Sequence, residues 1–465
     1  MAPSPQSVDV VVVGAGLSGL RAARELHSAG LKYVVLEARD RIGGKTLSVQ
    51  ASPGGKGLVD MGAAWINDTS QSEMYNLARE FGFDLVEQRT GGTSLYRDGE
   101  GEVHCIPYGV PAKLEPEQLR QVEQLLQVIS EHVDKCDLEH PAGGLDAQRL
   151  DSITVKEYAD GFNDPGASQL VNAITRSLLG VESDELSALF FLDTLKRGTG
   201  LTNVLSDHKD GGQYLRNRQG NQAFCERLAA GLHADSVKVN CAVEAISPRD
   251  AGCVVEASNG ASYKAHRVIV SVPTPFYSSI RFDPDLPPGK KTLSQSTESG
   301  YYTKTVLVFD EPWWHSTNLS GEYSSANGPI GFTRDTCVPA DGQYSITCFH
   351  TGASGRQWST LSAEERRRVV LEDFRAAFRK VVDPVPEPIH VVEKDWTQDE
   401  WARGGPGPIM KTGLLAGEAG KSISESFGNI HFVGTETSPM WRGYMEGAVR
   451  SGIRGGKEVA AALTK

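Results

Sequence analysis

Two stretches of this chain hold side chains that could do chemistry where a plain core or loop would not. Residues 432–449, FVGTETSPMWRGYMEGAV, set Glu436 and Glu446 among Gly434, Met440, Trp441, Tyr444 and Met445. A core strand would lack the acids, and a surface loop would have no use for the large apolar side chains. Such a mixture suits a turn that lines a ligand. The second stretch is YYTKTVLVFDEPWW, which reads as a strand over 303–309 with Lys304 inside it. Taken alone, a lysine in a strand is most simply an exposed charge.

A third stretch supplies the frame. Residues 9–13 form a short β-branched run that ends in GAGLSG, after which Leu17, Leu20, Ala23 and Leu26 recur at helical spacing until Gly30, and YVVLEA follows as a second strand. Gly14, Gly16 and Gly19 stand in GxGxxG register. The first glycine allows a tight turn, the second lets backbone approach a pyrophosphate, and the third lets helix and strand pack closely. The helix N-terminus offers unpaired N–H groups to phosphate. Glu37, 21 residues beyond Gly16, lies where a ribose 2′-hydroxyl needs an acceptor. In EARDRIGGKT, Arg39, Arg41 and Lys45 surround a Gly43-Gly44 bend, which suits further contacts along a pyrophosphate and also suits a solvated basic loop.

The segments VVVGAGLSGLRAARELHSAG, VVLEARDRIGGKT, VDMGAAW and GTET…W.GYMEGA resemble those of the flavin-dependent amine oxidases, the monoamine oxidase family. The resemblance implies an α/β fold in which a Rossmann-like FAD-binding domain is interleaved with an α+β substrate-binding domain. It assigns to FAD Gly14, Gly16, Gly19, Glu37, Ala38, Arg39, Gly44, Lys45, Gly62, Ala63, Ala64, Trp65, Val243, Gly434, Glu436, Tyr444 and Met445. It also implies that Lys304 holds a water beside flavin N5 and helps oxygen accept electrons, since a fixed cation stabilises developing negative charge. Tyr444 is the ring before the flavin face, and Pro406, Trp441 and Tyr444 are the expected substrate walls.

Two positions depart from the family pattern. Lys45 stands where arginine is more common, keeping the charge while losing bidentate pairing. Aligned on DWTQDEWARGGPGP, Gly405 falls where some members carry a flavin-bonding cysteine and Pro406 where a second cage ring should be. FAD is therefore expected to be noncovalent, with a wider cavity that takes long or bulky alkyl amines over small arylalkyl ones. The implied activity is oxidation of a primary amine by oxygen to a carbonyl compound, ammonia and hydrogen peroxide. An L-amino-acid or polyamine oxidase on the same fold is the nearest alternative, with Arg176, Arg197 and Arg442 as candidate carboxylate holders. A flavin-binding scaffold without turnover is a further alternative.

The intervening elements must position these groups. A polar helical stretch over 111–137 continues as helices through TVKEYADGF and ASQLVNAITRSLLG, and strands return in VKVNCAVEAIS, GCVVEASNG and YKAHRVIVSVP. The expected cofactor domain is 1–90, 215–280 and 405–465, and the substrate domain is 91–214 and 281–404. His132, Cys136 and His140 share a helical spacing, but Pro141 ends the pattern without a fourth ligand, so no metal is expected. In composition, 39% hydrophobic and 23% charged residues describe an ordinary globular chain. A formal net charge of −12 disfavours nucleic acid and anionic membranes. Seven scattered cysteines without a CxxC pair fit free thiols, and no secretion signal or apolar span is evident, so a cytoplasmic protein is expected, with a homodimer allowed.

Overall fold

The structure is a computed structural model that describes residues 5–110, 116–144, 146–249 and 252–464. Its architecture follows from two sheets and the helices that cover them.

The first sheet has eight strands. Its path runs Arg281–Phe282, Val243–Arg249, Gly252–Ala257, Ser262–Val270, Gln6–Val13, Tyr33–Leu36 and Val237–Lys238, with Ile430–Phe432 also pairing Ser262–Val270. The central valine-rich strands are buried on both faces, as parallel strands covered by helices must be. Val13 pairs with Leu36 and with Val270, and Val270 pairs with Phe432, all in parallel register. Four strands thus end at one edge, the edge at which open α/β sheets bind ligands. Gly14, Glu37, Ser271 and the approach to Gly434 leave the sheet there side by side.

The same edge joins the two ends of the chain. Helix Leu17–Ser28 lies against the C-terminal helix Met445–Leu463. Gly452 and Gly456 let the backbones touch: a Cβ on Gly452 would lie 2.4 Å from the Ser18 carbonyl oxygen, and one on Gly456 2.8 Å from that of Ala22.

The second sheet has seven strands, ordered His390–Lys394, Tyr302–Phe309, Tyr344–Thr351, Phe332–Asp335, Leu319–Ser325, Thr93–Arg97 and Val103–Pro107. Tyr344–Thr351 is antiparallel to both neighbours, placing Phe349 opposite Lys304 and Phe332 opposite Phe349. Residues directly opposed across strands share a face, and alternate residues along a strand do too. Tyr302, Lys304, Phe349, Phe332 and Arg334 therefore project together toward the first sheet's edge.

Helices Pro116–Lys135, Pro165–Leu179 and Ala188–Arg197 build a separate apolar cluster that also takes in Trp441. The helix expected over 111–137 begins at Pro116, and its residues 111–115 lie outside those described. His132 is occupied by Tyr158, its Nδ1 lying 2.6 Å from the hydroxyl. Among the described residues, no helix is long and apolar enough to cross a membrane.

Candidate active site

A cavity of about 2260 Å³ runs from the glycine turn to the aromatic face of the second sheet. That is more than twice the roughly 300–1,000 Å³ of a pocket for one small ligand, so a cofactor and a substrate fit together.

At one end the glycine turn is built as its spacing requires. Gly14 has φ +98° and its N–H donates to Leu36 O at 2.7 Å. A Cβ on Gly19 would sit 2.0 Å from Gly14 O, so only glycine permits that helix start. Glu37 is buried, accepting the Ala15 N–H at 2.7 Å and the Arg39 N–H at 2.9 Å. The returning segment is zipped to it, Cys241 N donating to Glu37 O at 2.8 Å, and this sets Val243 on the cavity wall beside Ala38. Gly16 and Gly44 face one another, Gly44's Cβ position lying 3.4 Å from Gly16 Cα. Opposed glycine backbones beside a carboxylate are the cradle an extended dinucleotide needs.

The three cations of the double-glycine loop have separate duties. Arg41 turns inward and donates to the carbonyls of Ile42, Gly44 and Thr46, which fixes the bend. Arg39 pairs with Asp399 at 2.6 Å. Lys45 is half-buried beside Glu436 and donates to Pro406 O at 3.3 Å. Burial lowers its ammonium to about 8, with Glu436 opposing the shift. Burial also raises the Glu436 carboxyl, whose Oε1 accepts the Thr274 N–H at 3.0 Å.

At the other end stands Lys304, and it is not exposed. Its Nζ donates to Gly62 O at 2.6 Å and Asp60 O at 3.0 Å, and lies 5.4 Å from the Trp65 ring centre and 5.2 Å from that of Phe349. Desolvation lowers it to about 8. Gly62 cannot be larger, since a Cβ there would meet Lys45 O at 1.9 Å. Ala63 and Ala64 continue the same wall, and the Trp65 N–H donates to Gln88 Oε1 at 3.0 Å.

Tyr444 caps the C-terminal helix and lines the cavity with Met445, Gly434 and Glu436. Burial raises its phenol to about 12, with Gln213 beside it acting in the opposite direction. Trp441, expected on the substrate wall, lies behind it and is not among the residues that line the cavity. It is fully buried, its N–H donating to Ser70 O at 3.0 Å, and it braces Tyr444 edge-on from behind at 4.8 Å. Pro406 does line the cavity, but the wall around it is not bare.

Sequence reasoning missed that wall. Tyr302, Phe332 and Phe349 cluster there, with Phe332 and Phe349 stacked at 4.4 Å. Beyond them Arg334 lies 3.0 Å from Asp207 and 2.6 Å from Glu322, and Tyr108 hydrogen-bonds Asp207. The available signal was the period of two that places Tyr302 on the face of Lys304. The candidate carboxylate holders are spoken for. Arg176 pairs with Glu182 at 3.0 Å, and Arg197 and Arg442 converge on Asp193 at 2.7 and 2.8 Å.

Comparison with known proteins agrees with this geometry. The family model for flavin containing amine oxidoreductases matches residues 17–460. The chain belongs to that family. It is an oxidoreductase that acts on amines, and the family's cofactor is a flavin. It is 30% identical over 454 residues to the flavin-containing amine oxidase of Oncorhynchus mykiss, covering 97% of this chain and 85% of that one. Among solved structures, a putrescine oxidase bound to putrescine superposes with TM-score 0.91 at 26% identity, over 98% of this chain and all of that one. Cyclohexylamine oxidase from Brevibacterium oxydans gives TM-score 0.90 at 28% identity with the same coverage. The interleaved α/β fold is that of these flavin amine oxidases.

Proposed function

We propose that this chain oxidises a primary amine with noncovalent FAD, releasing a carbonyl compound, ammonia and hydrogen peroxide, and that it favours long or bulky alkyl amines. The observation that carries the reading is Lys304, a buried ammonium held by two carbonyls where the glycine-turn cavity meets the aromatic pocket. Within this reading, residues 1–90, 215–280 and 405–465 form the cofactor unit and the remainder the substrate unit.

The site residues fit FAD. Glu37, Gly14, Gly16 and Gly44 would hold the dinucleotide, Lys45 and Glu436 its middle, and the Met445 end of the C-terminal helix its ring system. FAD supplies two-electron oxidation of the amine's α-carbon and return of the electrons to oxygen. No cysteine is found among the described residues that line the cavity, which supports noncovalent binding. Tyr444 presents a ring face to the substrate, and the buried cations disfavour a second ammonium beside them, so the amine enters neutral. Free alkyl amines are mostly protonated at neutral pH, and turnover therefore rises toward mildly alkaline pH.

A second reading, a diamine or polyamine as substrate, draws support from Asp207 and Glu322, which share the single guanidinium of Arg334 and leave a net negative end to the pocket. The amino-acid alternative lacks comparable support, because each candidate arginine is already paired with an acid. A peroxide-coupled screen decides among them. Octylamine is expected to exceed both benzylamine and putrescine, and a clear preference for benzylamine would remove the long-chain assignment. Acid precipitation of the holoenzyme is expected to leave the yellow flavin in the supernatant; flavin retained in the pellet would contradict noncovalent binding.

A further inference from the structure

The substrate pocket has a second ring that the Pro406 segment does not supply. Tyr302 stands two residues before Lys304 in strand Tyr302–Phe309, so both side chains leave the same face. Its ring meets Phe349 edge-on at 5.5 Å and Phe332 at 6.3 Å, and this pair, stacked on each other, fixes the orientation of its plane. Tyr302 and Tyr444 line the same cavity, and Tyr444 is near enough to add to the upward shift of the Tyr302 phenol.

The hydroxyl is the informative atom. A buried tyrosine normally finds a partner for its O–H. Among the described residues, the neighbouring Tyr108 does so with Asp207, and Tyr301 accepts from Thr397 at 3.4 Å. Tyr302 lies partly buried in the wall and has no hydrogen-bond partner for its hydroxyl among the described residues. Nor is that oxygen sealed inside the protein, as the Tyr277 hydroxyl is. It is a donor and acceptor offered to the cavity, one strand step from Lys304.

We propose that Tyr302 is the second substrate-binding ring, closing the pocket with Tyr444 and hydrogen-bonding the nitrogen of the neutral amine. The proposal rests on the amine oxidase reading above and names the residue that performs its orienting step. Burial keeps the phenol protonated at working pH, so it donates to the nitrogen lone pair. An alkylammonium can bond the same oxygen only by donating to it, so the bond from the phenol orients the neutral amine and does not by itself exclude the charged one.

The test is anaerobic stopped-flow reduction of the holoenzyme by octylamine, across pH 7 to 9.5, for wild type, Tyr302→Phe and Tyr302→Leu. Flavin absorbance and retention serve as controls for the fold. Tyr302→Phe is expected to weaken apparent amine binding about fivefold at every pH in the range, the size of one neutral hydrogen bond. Tyr302→Leu, which also removes the ring, is expected to lower the limiting reduction rate further, with phenylalanine restoring that part. If Tyr302→Phe binds within about twofold of wild type across the pH range, the proposal is overturned. A wild-type flavin that no amine reduces would overturn the amine oxidase reading itself, and the proposal with it.

Discussion

Burial decides what Lys304 can do. Exposed, its charge would be screened by water; enclosed by Trp65, Phe349 and two backbone carbonyls, it acts at full strength on charge that develops nearby. Its ammonium, lowered to about 8, loses the proton as pH climbs through that value. The oxygen half-reaction is therefore expected to slow above about pH 8, while amine deprotonation speeds the reductive half. Lys304→Met is expected to leave anaerobic reduction by amine largely intact, to slow reoxidation by tenfold or more, about 1.4 kcal/mol, and to abolish the pH dependence of reoxidation. Stopped-flow reoxidation in air-saturated buffer measures this, and an unchanged rate removes Lys304 from the role. How far such residues were legible varied. Glu37 and the three glycines follow from spacing, because a local turn dictates them. Lys304 read alone looked exposed, and only the family resemblance placed it in the site, since burial comes from Trp65 and Phe349 on other segments. Asp207, Glu322 and Arg334 carried no signal at all, as Asp207 meets the paired strands of Glu322 and Arg334 only in the fold.

At the scale of elements, sequence was most legible where periodicity and punctuation agree. The strand, glycine turn, helix and strand at the front stand as the pattern requires, and the strand around Lys304 runs Tyr302–Phe309 against the expected 303–309. Pairing was not legible, because which strands neighbour one another depends on distant chain. Helix capping shows the same limit. Helix Ser72–Glu80 begins at Gln71, whose side chain does not cap it. The missing acceptor comes from Glu446 in the C-terminal helix, whose carboxylate receives the N–H of Met74 at 2.8 Å and of Glu73 at 3.2 Å and is held by Arg450 at 2.6 Å. Glu446 thus ties two elements rather than touching a ligand, although it stands next to Met445. Glu446→Ala is expected to lower stability by about 1–3 kcal/mol, the cost of orphaned buried groups, while the flavin spectrum stays unchanged. Urea denaturation followed by tryptophan fluorescence checks it, and a spectral change without loss of stability would place Glu446 in the site instead.

Over the whole molecule, three lysines lowered by desolvation give stability an uncommon pH dependence. Lys290 donates to Ser422 O at 2.6 Å and lies 3.8 Å from the Phe432 ring centre, and burial lowers it to about 7, with the Glu425 charge opposing the shift. Lys45 and Lys304 are lowered to about 8. In the unfolded chain each returns to the ordinary lysine value near 10.4, so above pH 7 the unfolded state binds more protons than the folded one. Stability must then rise with pH across this range. Burial also raises the carboxyls of Asp60, Glu436 and Glu446, and their contribution has the opposite sign, because the folded state keeps their protons longer. Buried thiols such as Cys225 and phenols such as Tyr444, both raised to about 12, act on the alkaline side, also with the opposite sign, because the unfolded groups lose protons first. Between roughly pH 7 and 8.5 the lysines dominate, and stability is expected to increase on leaving the pI of about 5.5 behind. Urea midpoints of the holoenzyme at the two pH values measure it, with the midpoint higher at pH 8.5. Lys290→Met isolates the contribution that no cofactor touches and is expected to reduce the slope. A wild-type midpoint that falls over the window would mean that these ammonium groups are hydrated in the folded state.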